Sequence, residues 1–110
     1  MRSVTNIYLY HRDEKFFGEG PRRLLHAIKE CGSLRSAAKS MDMSYSKALQ
    51  LISRAEKALG FSLTQKVIGG KGGGGSILTQ EAETFLKTYE EYLEACYEAN
   101  ERLYSRYFSK

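Results

Sequence analysis

The 110-residue sequence predicts a mainly α-helical domain of α+β type, in which three short helices precede a glycine-tipped β-hairpin and one long helix. Apolar residues recur every three or four positions in four separate segments, and residues that favour helix ends bound each segment. A glycine-rich run, residues 68–79, separates the third segment from the fourth. The length is sufficient for one small folding unit with a modest core.

The first third of the chain predicts one strand and one helix. Residues 4–10 (VTNIYLY) are rich in β-branched and aromatic side chains, which favour a strand. Helix one is expected to begin near Pro21, because proline suits the first helical position, and to end at Gly32. Its apolar stripe consists of Leu24, Leu25 and Ile28.

The next two segments predict a helix-turn-helix. Ser33 is a suitable cap for a short second helix, residues 34–41, and Ser44 is a suitable cap for a third helix that runs to about Leu59. The connecting turn is very short and the second helix is small and alanine-rich, as is typical of this motif. The expected buried residues are Leu34, Ala37, Ala38 and Met41 on the second helix and Ala48, Ile52, Ala55 and Leu59 on the third.

The glycine-rich run has two interpretations. Its composition is typical of a flexible linker. The β-prone residues on both sides instead favour two short paired strands, with the run at the tip of a hairpin. We favour the hairpin, which would be the wing of a winged helix-turn-helix at residues 61–78. The flanking residues that support it are Phe61, Leu63, Val67, Ile68, Ile77 and Leu78.

A long amphipathic helix is predicted from about residue 79 to residue 107, in the same folding unit as residues 1–78. Its apolar residues step alternately by three and four positions over three heptads, which is typical of a helix that packs along a second helix. We expect the partner to be a second copy of the chain, giving a homodimer. The alternative is a helix that folds back on its own domain. The expected dimer contacts are Phe85, Tyr89, Tyr92, Leu93, Cys96 and Leu103.

The net charge of +4 conceals an asymmetry along the chain. Residues 22–71 include ten basic and three acidic side chains, whereas residues 79–110 include four basic and seven acidic ones. A basic centre indicates a polyanionic partner, and an acidic end indicates a protein partner.

Several other classes of protein find little support. No apolar run approaches the ~18 residues of a membrane span and no secretion leader is present, so we expect a cytoplasmic protein. Cys31 and Cys96 lack the spacing of metal ligands and are expected to be reduced thiols, with a redox-sensing pair as the less favoured interpretation. Neither His11 nor His26 lies near a nucleophile motif, and no phosphate-binding loop is present, so we expect no enzyme and no cofactor.

The polar side of the third helix provides candidate DNA contacts. Residues near the start of such a helix reach base edges, and glutamine can pair with adenine, so Ser46, Lys47 and Gln50 are the expected base readers. Tyr45 and Arg54 are expected at phosphates or sugars. Further expected DNA contacts are Ser44 at the helix cap, Arg35 and Ser36 at the start of the second helix, and Lys71 in the glycine-rich run.

Residues 32–38 (GSLRSAA), 43–46 (MSYS) and 58–60 (ALG) resemble the winged helix-turn-helix of LysR-type regulators. The GGKGGGG sequence of residues 69–75, followed by Ile77-Leu78-Thr79, resembles the N-terminal domain of the ModE family of molybdenum-dependent transcriptional regulators. The resemblance implies a dimeric prokaryotic DNA-binding domain, with the long helix at the dimer contact and the third helix in the major groove. ModE regulators also carry a C-terminal molybdate-binding portion. Residues 1–110 have no counterpart to it, so we expect no molybdate ligand among them.

The sequence therefore predicts a ModE-like and LysR-like transcriptional regulator that binds a two-fold operator on double-stranded DNA as a homodimer. Two alternatives remain open. One is an interaction module in which this fold docks on another protein, such as a separate effector-binding protein. The other is a thiol-based regulator that acts through Cys31 and Cys96.

Overall fold

A computed structural model describes residues 1–68 and 75–109. Within these ranges the chain forms two antiparallel hairpins and four helices. The elements in chain order are β1 (Leu9–His11), β2 (Glu14–Phe17), α1 (Glu19–Cys31), α2 (Leu34–Ser40), α3 (Tyr45–Leu59), β3 (Thr64–Val67), β4 (Gly75–Leu78) and α4 (Gln80–Phe108). The predicted α+β class, with a hairpin between the third and fourth helices, is confirmed.

One apolar core joins the three short helices to both hairpins and to the first half of α4. Its largest fully buried side chains are Phe17, Leu24, Leu25, Ile28 and Leu63. The two buried alanines of α2 also belong to this core, and their small side chains allow the neighbouring helices to approach closely. Leu24, Leu25 and Ile28 are the apolar stripe predicted for α1, and their burial confirms that prediction.

Polar caps and glycines set the helix ends as the sequence predicts. Ser33, Ser44 and Thr79 each accept a hydrogen bond from the backbone N–H three residues later, over 3.0, 3.1 and 3.0 Å respectively. Gly32 and Gly60 end α1 and α3 in the left-handed conformation, with φ of 81° and 84°. The start of α1 differs slightly from the prediction, since the helix begins at Glu19.

The prediction of a strand at residues 4–10 is wrong in extent. β1 covers only Leu9–His11 and pairs with β2, a strand that the sequence analysis did not predict. Arg12 and Asp13 connect the two strands with φ of 50° and 65°, the left-handed backbone that two-residue hairpin turns require. Neither residue is glycine, so the usual sequence signal of such a turn is missing.

The residues before β1 lie along α4 and use its side chains as hydrogen-bonding partners. The Tyr89 hydroxyl donates to the carbonyl oxygen of Ile7 over 2.9 Å, and the Ser3 hydroxyl donates to Oδ1 of Asn100 over 3.2 Å. Side chains from residue 3 to residue 10 alternate between half-buried and exposed. This alternation has the period of two that is typical of a strand, although the segment packs against a helix, α4.

Only the first half of α4 is buried in the chain's own core. The helix has 29 residues, which corresponds to about 43 Å at the usual rise per residue. Its buried residues are Ala82, Leu86, Tyr89 and Leu93. From residue 94 to residue 109 no side chain is buried, and the molecule measures 60 Å along its longest axis.

Within the described ranges, no helix has both the length and the apolar composition needed to cross a membrane.

Candidate nucleic-acid interface

Helix α3 presents a polar side to solvent. Ala48, Ile52 and Ala55 are buried, as the sequence predicts, and Leu59 is half-buried. The opposite side of the helix carries exposed residues at the spacing of one face. These include the predicted base readers Ser46, Lys47 and Gln50.

An aromatic contact joins the start of α2 to the start of α3. The guanidinium carbon of Arg35 lies 4.5 Å from the centroid of the Tyr45 ring, and both residues are exposed. Ser36 is also exposed, and its backbone N–H is already used by the Ser33 cap. The structure therefore brings Arg35 and Tyr45 together on one surface, and Ser36 is exposed next to Arg35 in the sequence.

Ser44 and Arg54 have partners within the chain. Ser44 caps α3, so its hydroxyl oxygen already accepts one hydrogen bond. Arg54 is half-buried, with its Nε 3.9 Å from Oε1 of Glu14 on the first hairpin. Arg54 thus lies toward the β1–β2 hairpin, at the side of the α3 face rather than at its centre.

The wing hairpin forms as predicted, because β3 and β4 pair over four residues, from Thr64↔Leu78 to Val67↔Gly75. At the base of the hairpin, the backbone N–H of Thr79 donates to the carbonyl oxygen of Leu63 over 3.0 Å, next to the pair Thr64↔Leu78. The wing tip, with the predicted contact Lys71, lies outside the described residues.

A second contact places the wing base beside the loop that leads into α2. The backbone N–H of Ser76 donates to the carbonyl oxygen of Gly32 over 2.7 Å. The neighbouring Gly75 passes so close to this carbonyl that a Cβ atom would overlap it. The wing base, the start of α2 and the start of α3 therefore form one continuous surface.

Sequence analysis missed two residues on the exposed face of α3. Leu49 is 44% exposed although it is apolar, and Lys57 is exposed seven residues after Gln50. Their helical spacing from Ser46 and Gln50 was the available signal, since residues three, four or seven apart share a face.

Three basic side chains of α1 lie close to carboxylates on α4. Glu90 Oε2 lies 2.9 Å from Arg22 Nη1 and 2.7 Å from His26 Nε2. Lys29 Nζ lies 3.1 Å from Oε1 of Glu83. These basic side chains face acidic residues of their own chain, so the surface available to a polyanion is centred on α2, α3 and the wing.

The pKa of Glu90 follows from this junction. Partial burial would raise the pKa of the carboxyl, but the hydrogen bonds from His26 and Arg22 outweigh burial and lower it below its ordinary value. The Glu90 carboxylate therefore helps to hold α4 against α1 as long as it is ionised.

The predicted dimer residues divide into two groups. Phe85, Tyr89 and Leu93 pack within the chain, and the first two place their rings edge-on to Phe17 with centroids 4.8 Å away. The alternative of a helix folded back on its own domain thus describes the first half of α4. Tyr92 and Leu103 are 50% and 51% exposed, and Cys96 is half-buried.

The two cysteines are free thiols, with Cys31 exposed at the end of α1 and Cys96 on α4. Among residues 1–68 and 75–109 no group of three or more metal-ligating side chains comes together.

Comparison with known sequences finds relatives among ModE proteins. The chain is 38% identical over 88 residues to the molybdenum transport protein ModE of Herbaspirillum seropedicae, covering 79% of this chain and 31% of that protein. It is 40% identical over 68 residues to the transcriptional regulator ModE of Haemophilus influenzae, covering 62% and 27% respectively. It is 34% identical over 79 residues to the DNA-binding transcriptional dual regulator ModE of Escherichia coli K12, covering 70% and 30%. The chain spans less than a third of the length of these relatives.

Two solved structures share the fold. The crystal structure of a CbnR_DBD–DNA complex matches with a TM-score of 0.58 at 22% identity, covering 79% of this chain and 94% of that one. The crystal structure of a BenM_DBD/benA site 1 DNA complex matches with a TM-score of 0.57 at 18% identity, covering 83% and 97%. These matches confirm the predicted winged helix-turn-helix architecture.

The family model of bacterial regulatory helix-turn-helix proteins of the LysR family matches residues 22–83, from the first basic residues of α1 to the first turn of α4. This range is more than half of the chain and contains the whole α2–α3 unit and the wing. With the ModE relatives, it confirms the predicted resemblance to ModE-like and LysR-like regulatory helix-turn-helix proteins. The chain belongs to the LysR-type family of bacterial regulatory helix-turn-helix proteins.

Proposed function

We propose that this protein is a cytoplasmic transcriptional regulator that binds a two-fold operator on double-stranded DNA as a homodimer. The observation that carries the proposal is the continuous surface formed by the wing base, the start of α2 and the exposed side of α3. Helices in this arrangement place the second helix of the pair in the major groove. The relatives named above include a DNA-binding transcriptional regulator.

In this proposal the exposed side of α3 reads base edges. Ser46, Lys47 and Gln50 lie near the start of the helix, where side chains of a recognition helix reach the bases. Gln50 offers both a donor and an acceptor, as needed for a bidentate contact with adenine.

The remaining contacts would be made to the DNA backbone. Arg35 and Tyr45 stand at the adjoining starts of α2 and α3, where an exposed cation and an exposed phenolic hydroxyl can bind phosphate oxygens. Ser36, Ser44, Arg54 and Lys71 are assigned to the same role. Such contacts fix the position of the protein on the duplex and make binding dependent on salt.

The dimer would form along the exposed side of α4 from Tyr92 onward. Tyr92, Cys96 and Leu103 follow one another at spacings of four and seven, so they lie on one side of the helix. None of them is buried in the chain's own core. The proposed dimer contact is therefore narrower than the set of six residues expected from the sequence.

A separate effector-binding protein is a further proposed partner. Glu91, Glu94 and Glu98 are exposed on α4 and have no ion-pair partner within residues 1–68 and 75–109. This acidic side would suit a basic surface on another protein.

Selection of genomic DNA fragments with the purified protein, with and without molybdate, tests the proposal. We expect enrichment of a sequence with two-fold symmetry. The double variant Lys47→Ala/Gln50→Ala should keep its fold and lose most of the preference for that sequence over random duplex. Equal affinity of the wild-type protein for selected and random duplexes would contradict the proposal. A changed set of fragments in molybdate would show an oxyanion response.

A further inference from the structure

Leu49 is an apolar side chain in the middle of the polar side of α3. It lies three residues after Ser46, one before Gln50 and four before Ser53, so the four residues occupy one face of the helix. The other three residues of this face are polar and exposed, and Leu49 is 44% exposed. The face that would meet the DNA is therefore interrupted by one branched hydrocarbon.

The core of the domain does not use Leu49. The buried side of α3 consists of Ala48, Ile52 and Ala55. Leu51 and Leu59 pack against the core as partly buried residues, whereas Leu49 is absent from both groups. Packing within the chain therefore does not explain an apolar residue at this position.

The major groove contains one apolar feature on base edges, the C5 methyl group of thymine. Leu49 shares one helix face with Ser46 and Gln50, so it would meet base edges together with them if α3 enters the major groove. Contact between the leucine methyl groups and a thymine methyl group would remove both from water, and this distinguishes thymine from cytosine without a hydrogen bond.

We propose that Leu49 is a specificity-determining residue that recognises the C5 methyl group of a thymine in each half of the operator. This inference rests on the proposed function, because it requires α3 to enter the major groove. It assigns a thymine to one position in each half of the operator, which neither the fold nor the named relatives specify.

Replacement of single thymines by deoxyuridine tests the inference, because it removes only the methyl group and leaves the hydrogen-bonding edge intact. A duplex selected by the wild-type protein is prepared with each thymine replaced in turn, and the affinity is measured for each. At one position per half-site, wild-type affinity should fall about fourfold, the effect expected for one buried methyl group. The variant Leu49→Ala should bind the parent duplex more weakly and be insensitive to uridine at that position.

Two further variants serve as controls. Leu49→Met keeps a flexible apolar side chain and should retain the sensitivity to uridine. Val4→Ala shortens another exposed apolar residue, 67% exposed, in the N-terminal segment, and should behave as wild type. Circular dichroism tests whether Leu49→Ala is folded. If Leu49→Ala does not fold, Leu49→Gln provides the same comparison.

Two results would overturn the inference while leaving the proposed function intact. One is a wild-type protein that selects a sequence but is insensitive to uridine at every thymine. The other is a folded Leu49→Ala variant with the same sensitivity as wild type. A folded wild-type protein that selects no sequence would overturn the proposed function and, with it, the role of Leu49.

Discussion

Arg35 and Tyr45 belong to different helices, yet the cation of one lies over the ring of the other at 4.5 Å from its centroid. A cation–π contact at an exposed site contributes about 0.5–1 kcal/mol. That is enough to restrict a long side chain that would otherwise lose conformational freedom on binding a phosphate. Tyr45 therefore positions Arg35 as well as offering its own hydroxyl group.

Substitution of Tyr45 separates these two roles. Tyr45→Leu removes the ring, and we expect DNA affinity to fall about two- to fivefold, the equivalent of the lost stacking. Tyr45→Phe keeps the ring and should bind nearly as wild type. Fluorescence anisotropy titrations with a selected duplex measure both. Equal losses in the two variants would show that the hydroxyl group, and not the ring, is required.

The wing depends on a close approach between two backbone segments. Gly75 begins β4 against the carbonyl oxygen of Gly32, where a Cβ atom would overlap the oxygen. The chain must therefore have glycine at residue 75 or move the hairpin away from the start of α2. The glycine-rich composition, which alone suggests a linker, has a structural reason at this residue.

Gly75→Ala should destabilise the protein by about 1–3 kcal/mol, the usual effect of forcing an extra carbon into a filled space. Urea unfolding followed by circular dichroism measures the change. Gly20→Ala is the matched control. Gly20 lies in α1 with no neighbouring atom within 4 Å of the added carbon, so alanine should raise stability by about 0.5–1 kcal/mol. A Gly75→Ala variant as stable as wild type would contradict this account of the wing.

The α1–α4 junction predicts a dependence of stability on pH. The pKa of Glu90 is lower in the folded chain, so its contribution is complete above the ordinary glutamate pKa and is lost as the pH falls through the folded value. Glu90→Gln should reduce stability at pH 7 by about 1 kcal/mol, since the site is partly exposed. The difference from wild type should disappear in acid, below the lowered pKa.

Chemical denaturation of both proteins between pH 7 and pH 3 tests this expectation. Glu91→Gln is the control, since Glu91 is exposed on the same helix and has no ion-pair partner within the described ranges. A constant difference between Glu90→Gln and wild type at every pH would show that the junction does not depend on ionised Glu90.

Local signals predicted α2 and α3, because Ser33, Ser44 and Gly60 determine where these helices begin or end. The β-prone residues on both sides of the glycine-rich run predicted the wing. The β1–β2 hairpin escaped prediction because Arg12 and Asp13 adopt positive φ without a glycine. The helical spacing of α4 is the same whether its apolar side meets its own domain or a second chain. Sequence alone therefore could not show that its first half is buried.

Helix α4 extends beyond the core that it helps to bury, so the molecule measures 60 Å along its longest axis against 28 and 24 Å in the other directions. From residue 92 onward the helix carries the exposed Tyr92, Leu103 and Tyr107. Exposed aromatic and aliphatic groups along one long helix are typical of a contact between chains. Two domains joined in this way would present two copies of α3 to one duplex.

Leu103→Asp should weaken the dimer at least about tenfold, because a carboxylate would be buried in an apolar contact. Analytical ultracentrifugation over a range of concentrations measures the dissociation constant. Glu94→Gln, on another side of α4, should leave it unchanged. A wild-type protein that stays monomeric at concentrations that saturate DNA would contradict the proposed dimer.

Affinity for a selected operator and for a scrambled duplex, measured across a series of salt concentrations, tests whether the surface formed by the wing base, α2 and α3 reads DNA. If the surface formed by the wing base, α2 and α3 binds DNA, both affinities should fall steeply with salt, with a slope of about −5 for six phosphate contacts per dimer. The operator should be preferred at least about a thousandfold at every salt concentration. Equal affinities for the two duplexes, or binding that does not respond to salt, would contradict the claim that this surface reads DNA.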